Sequence, residues 1–411
     1  MNEKYLEEAE IAYTINTVME EAQRCLLCHD APCSKACPAK TDPAKFIRSV
    51  RFRNFKGAAE TIRENNAMGS ICALVCPTEK YCQLGCSRCG IDKPIDIAGI
   101  QRFVTDFEQQ LDMKILKKGE PNGKHIAIVG SGPAGLQAAA SLLQKGYAVT
   151  IYEQAEKPGG YLRYGIPAYR LPDVIVDYEI DRIVELGANI LCGAKVGQET
   201  SLSELKENFD AVLIAVGASE GKMLEMFADN PYTETAVDFL ARVRDNQGDI
   251  SLPNSALVIG GGDVAMDAAT TLKVLGVESV TDVAYETFSE FLASKQELAG
   301  AQAKGVTIID GYLPSKVSDK QVTFKHRHNQ NELTITADLI ILAVGQKVNA
   351  EELALPIEHN EVTFEGYQTS DPQVFVAGDI AKGDKTVVWA VQKGKEAAAE
   401  IDAMLGGKAN D

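Results

Sequence analysis

The stretch from His125 to Glu153 limits most severely what this 411-residue chain can fold into; it reads HIAIVGSGPAGLQAAASLLQKGYAVTIYE. Ile126 to Val129 is a short apolar run of the kind that forms a buried parallel strand. Gly130, Gly132 and Gly135 follow at G-x-G-x-x-G spacing, Ala134 to Gln144 reads as a helix, and Gly146 closes it. A second strand, Ala148 to Tyr152, leads into Glu153. Gly130 permits the tight strand-to-helix turn, Gly132 lets the backbone approach a pyrophosphate, and Gly135 lets helix and strand pack closely. The pyrophosphate is expected on the helix N-terminus, where free N–H groups and the dipole favour an anion. Glu153 is placed to take ribose hydroxyls. The glycine pattern alone is also an ordinary turn. The strand, the helix and an acid about 20 residues on make it a dinucleotide site.

Length predicts about two to four domains. With 45% hydrophobic and 24% charged residues the composition is that of a soluble globular protein. A formal net charge of -17 argues against nucleic acid or an anionic membrane as partner. No apolar run approaches the roughly 18 residues of a membrane span. The N-terminus, MNEKYLEEAEIAYT, has no signal-peptide core, so the expected location is the cytoplasm, where thiols stay reduced.

Ten cysteines then need an explanation other than disulfides. Cys25, Cys28, Cys33 and Cys37 fall at C-x2-C-x4-C-x3-C spacing and are followed by Pro38. Cys72, Cys76-Pro77, Cys82 and Cys86 form a second group, and Cys89 follows. Zinc is the plain alternative, because C-x2-C serves both metals. Two Cys-Pro pairs, the first preceded by three close cysteines, resemble ferredoxin ligation, in which the cysteine before proline serves the other cluster. The x4 gap departs from the bacterial x2 run.

Residues 1 to about 24 and Asp42 to Asn66 read as helices, with Phe46, Ile47, Val50, Phe52, Phe55 and Ile62 as core candidates. Ile95 to Phe107 is an amphipathic helix containing Gln101, and Asp112 to Gly123 is a linker. Glycine and proline make Pro158 to Pro172 a shaped loop rather than a helix, one able to cradle the far end of a cofactor or to be merely a turn. Asp173 to Leu186 is a helix and Asn189 to Cys192 a strand, with Cys192 expected to be a buried structural thiol. The strand Phe209 to Gly217 ends Ala-Val-Gly, as does Leu339 to Gly345. Between them Ala256 to Leu275 repeats the strand–glycine–helix unit, with Gly260, Gly262 and Ala265 at G-x-G-x-x-A spacing. Val374 to Asp379 is a last strand ending in an acid, and Thr386 to Ala399 is a final helix.

These residues resemble the flavoprotein portion of dihydropyrimidine dehydrogenases, and most of all the small subunit of the two-subunit bacterial NAD-dependent enzymes. The resemblance is carried by RCLLCHDAPCSKACPA (24–39), CALVCPTEKYCQLGC (72–86), IDIAGIQRFVTDF (95–107), IPAYRLP (166–172) and both glycine fingerprints. The glutamate synthase small subunit is a cousin with the same layout. The implied fold is α/β: two doubly wound, Rossmann-like nucleotide-binding domains, the second inserted in the first, preceded by an all-α domain holding two iron–sulfur clusters. The expected domains are 1–118 for the clusters, 119–218 with 346–411 for FAD, and 219–345 for NAD.

The resemblance implies that one [4Fe–4S] cluster takes Cys25, Cys28, Cys33 and Cys86. The other takes Cys37, Cys76, Cys82 and the amide of Gln101, whereas spacing alone favours Cys72. FAD is implied at Gly130 to Gly135 and Glu153, with Gly160, Leu162 and Arg170 along the loop and Val196 at the adenine. Gly378 and Asp379 are implied by the ribityl or phosphate region, and Thr386, Val387 and Val388 beside the ring. NAD(H) is implied at Gly260, Gly261, Gly262, Asp263, Val264 and Ala265. Tyr285 and Glu286 stand where NADP-using relatives carry Arg-Arg, which predicts NADH.

The expected function is an electron-input module that oxidises NADH at FAD and passes electrons through the clusters, or runs in reverse. Hydride passes by stacking of two rings, so no catalytic side chain is required. The length left after these units holds no barrel of about 250 residues, so the pyrimidine site is expected on an FMN-containing barrel subunit. Rival readings are a glutamate synthase small subunit, a flavin-class thiol–disulfide reductase and a zinc-binding scaffold. The second needs a C-x-x-C beside the flavin, and none follows residue 118.

Overall fold

The computed structural model describes residues 2–8, 12–348, 353, 355, 357–358 and 361–406. It divides into two compact units. One runs over Glu10–Leu162, Asp173–Ala218 and Val348–Asp411, the other over Met1–Ala9, Arg163–Pro172 and Ser219–Lys347. No helix among the described residues is long and apolar enough to cross a membrane.

The larger unit begins with capped helices. Thr14 closes a capping box on Ile15–Gln23, Asp42 caps Pro43–Arg51, Asn54 caps Phe55–Asn65 and Asp96 caps Ile97–Gln110. Their apolar faces meet in one core containing Val18, Phe46, Ile47, Val50, Phe55, Ile62, Ile100 and Phe103. Phe52 departs from the expected core. It is the C-cap of its helix, the next residue turns left-handed, and the residue is 73% exposed.

The same unit carries a seven-stranded sheet. Its order is Phe364–Glu365, Gln368–Thr369, Val374–Val376, Ala211–Ile214, His125–Val129, Ala148–Glu153 and Asn189–Cys192. From Val374–Val376 onward every pairing is parallel, with Ile126 opposite both Val149 and Ala211. Pro133–Gln144 crosses from the first strand to the second, and Asp173–Leu186 leads to the edge strand. On that edge Cys192 is exposed, a correction to the buried thiol expected; its strand has a neighbour on one side only. The final helix, Val387–Met404, lies against Pro133–Gln144 so closely that a Cβ on Gly394 would stand 2.2 Å from the Ala134 carbonyl oxygen.

The smaller unit has a fully parallel five-stranded sheet in the order Thr233–Thr235, Leu339–Leu342, Ser255–Ile259, Ser279–Val283, Thr307–Ile309. Asp263–Leu275 is its glycine-loop helix. An antiparallel sheet of Tyr312–Ser318, Gln321–His326 and Glu332–Thr336, absent from the sequence reading, completes it. Residues 2–8 and 163–172 also belong here rather than with the cluster and FAD segments. Tyr5, fully buried, packs edge-on to Tyr169 at 6.0 Å and joins Phe239 and Leu240 in this unit's core.

Candidate functional site

The first nucleotide cradle is built by the strand–turn–helix at Gly130. Its φ of +105° is one that side chains rarely adopt, and a Cβ there would stand 2.5 Å from the Ala215 carbonyl oxygen. A Cβ on Gly135 would come within 2.1 Å of the Gly130 oxygen, whereas one on Gly132 would meet nothing within 4 Å. The turn is therefore locked from behind and open in front, which fits a pyrophosphate resting on the N-terminus of Pro133–Gln144. Glu153 is buried at the end of its strand. It accepts from the Ser131 amide at 3.0 Å, from the Ser131 hydroxyl and from the Ala155 amide at 2.8 Å. Ser131 Oγ in turn accepts from the Gly159 amide at 2.9 Å, which ties the Pro158–Gly160 loop to the glycine turn.

Leu162 is fully buried. The Val196 side chain is core, in one cluster with Ala127 and Val129. Gly378 begins a short 3-10 turn holding Asp379, whose carboxyl is pushed up by burial against the pull of Lys393 and Lys385. Lys393 Nζ donates to the carbonyls of Gly378, Ala381 and Asp384, a clamp that sequence reading missed. Thr386 is the N-cap of the final helix, so the amides of Val387 and Val388 lie in its first turn. Arg170, expected along the FAD loop, has its described partners in its own unit. It belongs to the smaller unit, where its guanidinium pairs with Asp267 at 2.6 Å and Glu297 at 2.6 Å.

The cysteines gather in two sets. Cys25, Cys28, Cys33 and Cys86 line one cavity together with Pro32, Ile47, Ile95 and Ile97. Burial first, then the neighbouring Cys25 and Cys86, pushes the Cys33 thiol up to about 11; burial, Cys28 and Cys86 raise Cys25. In the second set burial raises Cys76, with Cys72, Cys82 and Cys37 as the next causes. Thiols crowded in an apolar place resist ionisation unless a cation compensates. Cysteines gathered in this way fit an iron–sulfur cluster rather than a single ion, for which no group of three Cys, His, Asp or Glu side chains is formed among the described residues.

Gln101 is buried on the Ile97–Gln110 helix, and its Nε2 donates to the Gly69 carbonyl at 2.8 Å. Cys72, on the Gly69–Val75 helix, is buried too, and burial pushes its thiol up to about 12. Both residues thus stand on elements that frame the second set.

Behind that set lies a group of buried charges with no local sequence signal. Arg63 is bonded to Glu108 at 2.8 Å, to Glu179 at 2.8 Å and to the Ala67 carbonyl at 2.7 Å. Arg182 adds a second guanidinium to Glu108 at 2.8 Å. Glu179 also accepts from the Ser70 amide at 2.8 Å, at the start of the cysteine-bearing Gly69–Val75 helix.

The second cradle repeats the first. Gly260 turns from strand to helix against the Ala343 carbonyl, and Gly262 is again open in front. Asp263 accepts from the Ser294 amide at 2.6 Å, Val264 is half-buried and Ala265 is fully buried beneath. A Cβ on Gly261 would lie 2.4 Å from Glu286 Oε2, so that carboxylate stands against the glycine loop. Tyr285 is 52% exposed beside it.

Comparison with known proteins agrees with this geometry. Residues 2–113 match the family model described as dihydropyrimidine dehydrogenase domain II, 4Fe-4S cluster, and residues 124–394 match pyridine nucleotide-disulphide oxidoreductase. The chain is 58% identical to the NAD-dependent dihydropyrimidine dehydrogenase subunit PreT of Salmonella typhimurium, covering 98% of both chains. It is 57% identical to the PreT subunit of Escherichia coli, again over 98% of both. The fold is similar to that of Mycobacterium tuberculosis FprA in complex with NADPH, at TM-score 0.58 and 20% identity, over 70% of this chain and 85% of that one. By its cysteine-bearing helical segment, its two glycine cradles and its near full-length identity, this chain belongs to the family of the PreT subunit of NAD-dependent dihydropyrimidine dehydrogenase, an iron–sulfur oxidoreductase subunit.

Proposed function

We propose that this chain is the electron-input subunit of a dihydropyrimidine dehydrogenase. It oxidises NADH at a bound FAD and delivers electrons through two [4Fe–4S] clusters to an FMN-containing barrel subunit, where uracil or thymine is reduced; the reverse flux uses the same parts. The observation that carries this is the gathering of two cysteine sets in the same compact unit as the Gly130–Gly135 cradle. When bound, FAD supplies the exchange between two-electron hydride transfer and the one-electron transfers that clusters accept.

The chain's own residues do the holding. Gly130, Ser131, Gly132, Pro133, Ala134 and Gly135 receive the FAD pyrophosphate. Glu153 takes the ribose, and Gly160 closes on Gly132, whose Cα a Cβ added at Gly160 would meet at 3.0 Å. Asp379, held by the turn that Lys393 clamps, would hold the polar chain of the cofactor, and the amides after Thr386 would hold its ring. Cys25, Cys28, Cys33 and Cys86 hold one cluster; Cys37, Cys76, Cys82 and Gln101 hold the other. The Nε2 bond to Gly69 commits the amide nitrogen of Gln101 and leaves its oxygen for iron. Gly260 to Ala265 receive the nicotinamide nucleotide, with Glu286 against its adenosine ribose.

Anaerobically purified protein should contain one FAD and about eight iron and eight sulfide, the sum of two cubanes. It should oxidise NADH with artificial dyes, and reduce uracil or thymine only once an FMN-containing barrel subunit is added. Two zinc ions with no iron would overturn the cofactor reading. Pyrimidine reduction by the chain alone would overturn the partner. Glutamate formation on adding a glutamine-hydrolysing subunit would move the chain to the cousin family.

A further inference from the structure

The segment that follows the second strand of the smaller unit is a built wall. After Ser279–Val283 the chain runs out through Tyr285 and Glu286 and returns to the glycine loop, where the amides of Leu292 and Ala293 donate to the Gly261 carbonyl at 3.2 and 3.0 Å. Phe288 and Phe291 stack at 5.2 Å within it. Arg327 enters this wall from the turn between Gln321–His326 and Glu332–Thr336. Its amide donates to the Gly311 carbonyl at 2.9 Å, which fixes the backbone. Its guanidinium lies 4.5 Å from the Tyr285 ring centre and donates to the Tyr285 carbonyl at 3.2 Å. A cation therefore already stands beside the position where a 2′-phosphate is recognised, supplied from 42 residues further along the chain.

That cation is engaged. Glu290 Oε2 accepts from Arg327 Nη1 at 2.5 Å. Glu290 is itself held in a tight turn, accepting from the Thr287 amide and hydroxyl, each at 3.1 Å. Bonds from Thr287 first, then Arg327, keep its carboxyl below the usual range. A phosphate dianion arriving at Tyr285 would meet Glu286 at the glycine loop and Glu290 on the Arg327 guanidinium. Arginine and phosphate form strong paired hydrogen bonds when the arginine is free to turn to the phosphate. A plain ribose hydroxyl makes no such demand.

We propose that Glu290 is a specificity-determining residue: by holding Arg327 it withholds the cation that a 2′-phosphate needs, and so selects NADH together with Glu286. This rests on the reading that the nicotinamide nucleotide binds in the Gly260–Ala265 cradle. Glu290→Gln releases Arg327 while keeping the size of the side chain. Steady-state dye reduction by the cofactor-loaded protein, with NADH and NADPH in parallel, should then show the NADPH-to-NADH ratio of kcat/KM rising by about three- to tenfold. The rise should come mainly through the KM for NADPH. Adding Arg327→Ala should remove it, because the gain depends on the guanidinium and not merely on a lost negative charge.

A ratio unchanged in Glu290→Gln overturns the proposal, as does a rise that persists in the double variant. Tyr285→Arg with Glu286→Arg separates the two levels. If that pair raises the ratio while Glu290→Gln does not, the role of Glu290 falls and the nucleotide site stands. If neither moves it, the site reading falls and the proposal with it.

Discussion

The guanidinium of Arg63 and the carboxylate of Glu179 meet at 2.8 Å with no solvent exposure on either side chain. They join a helix of the cysteine-bearing segment, Phe55–Asn65, to Asp173–Leu186 of the dinucleotide-binding sheet. A pair of this kind stabilises little over an apolar replacement, but losing one partner strands a buried charge. Arg63→Ala or Glu179→Ala should each cost about 3–5 kcal/mol in denaturant unfolding. Because Glu179 also accepts from the Ser70 amide, Glu179→Ala should lose iron more readily than wild type when titrated with a chelator. Wild-type unfolding and iron retention in both variants would show that the network is idle.

The choice between Gln101 and Cys72 is open to direct measurement. Gln101→Ala should lose about four iron per chain, one cubane's worth, and Cys72→Ala should keep its full complement. The opposite result would give the second cluster to Cys72 and set aside the resemblance-based ligand set.

Glu153 holds the glycine turn through Ser131, and the proposed FAD site gives it the ribose as well. Glu153→Ala should weaken FAD binding by about ten- to a hundredfold, the worth of hydrogen bonds to one charged group. The bound flavin absorbance after gel filtration reports it, and full flavin occupancy would count against the site.

His125 opens the central strand. Its imidazole bonds Thr150 Oγ1 at 3.0 Å and packs on Phe209 at 4.5 Å. Burial holds its pKa below the ordinary 6.5, against the pull of Asp210. The folded state therefore favours the neutral ring. The stability this contributes is present above pH 6.5 and is lost as pH falls through the lower folded value. His125→Gln should flatten the fall in unfolding free energy between pH 7 and the acid side of 6.5; an unchanged slope would discount the histidine.

Both glycine cradles, with their strands and helices, were legible because local backbone demands are written locally. Gly130, Gly260 and the apolar runs before them need no distant partner to be read. Cys192 and Phe52 were misread because a buried environment was assumed, when one sits on a sheet edge and the other on a helix end. Arg170 sits in the resemblance-bearing IPAYRLP run, yet its partners Asp267 and Glu297 lie about a hundred residues away, beyond any spacing rule. Arg63, Glu108, Glu179 and Arg182 look like solvated helix charges in sequence. Only tertiary packing turns them inward. The Tyr312–Thr336 strands carry period-two alternation that was passed over amid their lysines, serines and threonines.

Lys395, on the final helix, donates to the carbonyls of Ala39 at 2.7 Å and Asn65 at 2.9 Å, groups placed 356 and 330 residues earlier in the chain. A ribosome adds roughly 5–20 residues each second, so the cysteine-bearing segment emerges tens of seconds before the ammonium that ties it down. The first part made is thus among the last completed. Nascent chains halted short of residue 395 should leave the Ala39 and Asn65 turns open to protease, and full-length chains should close them.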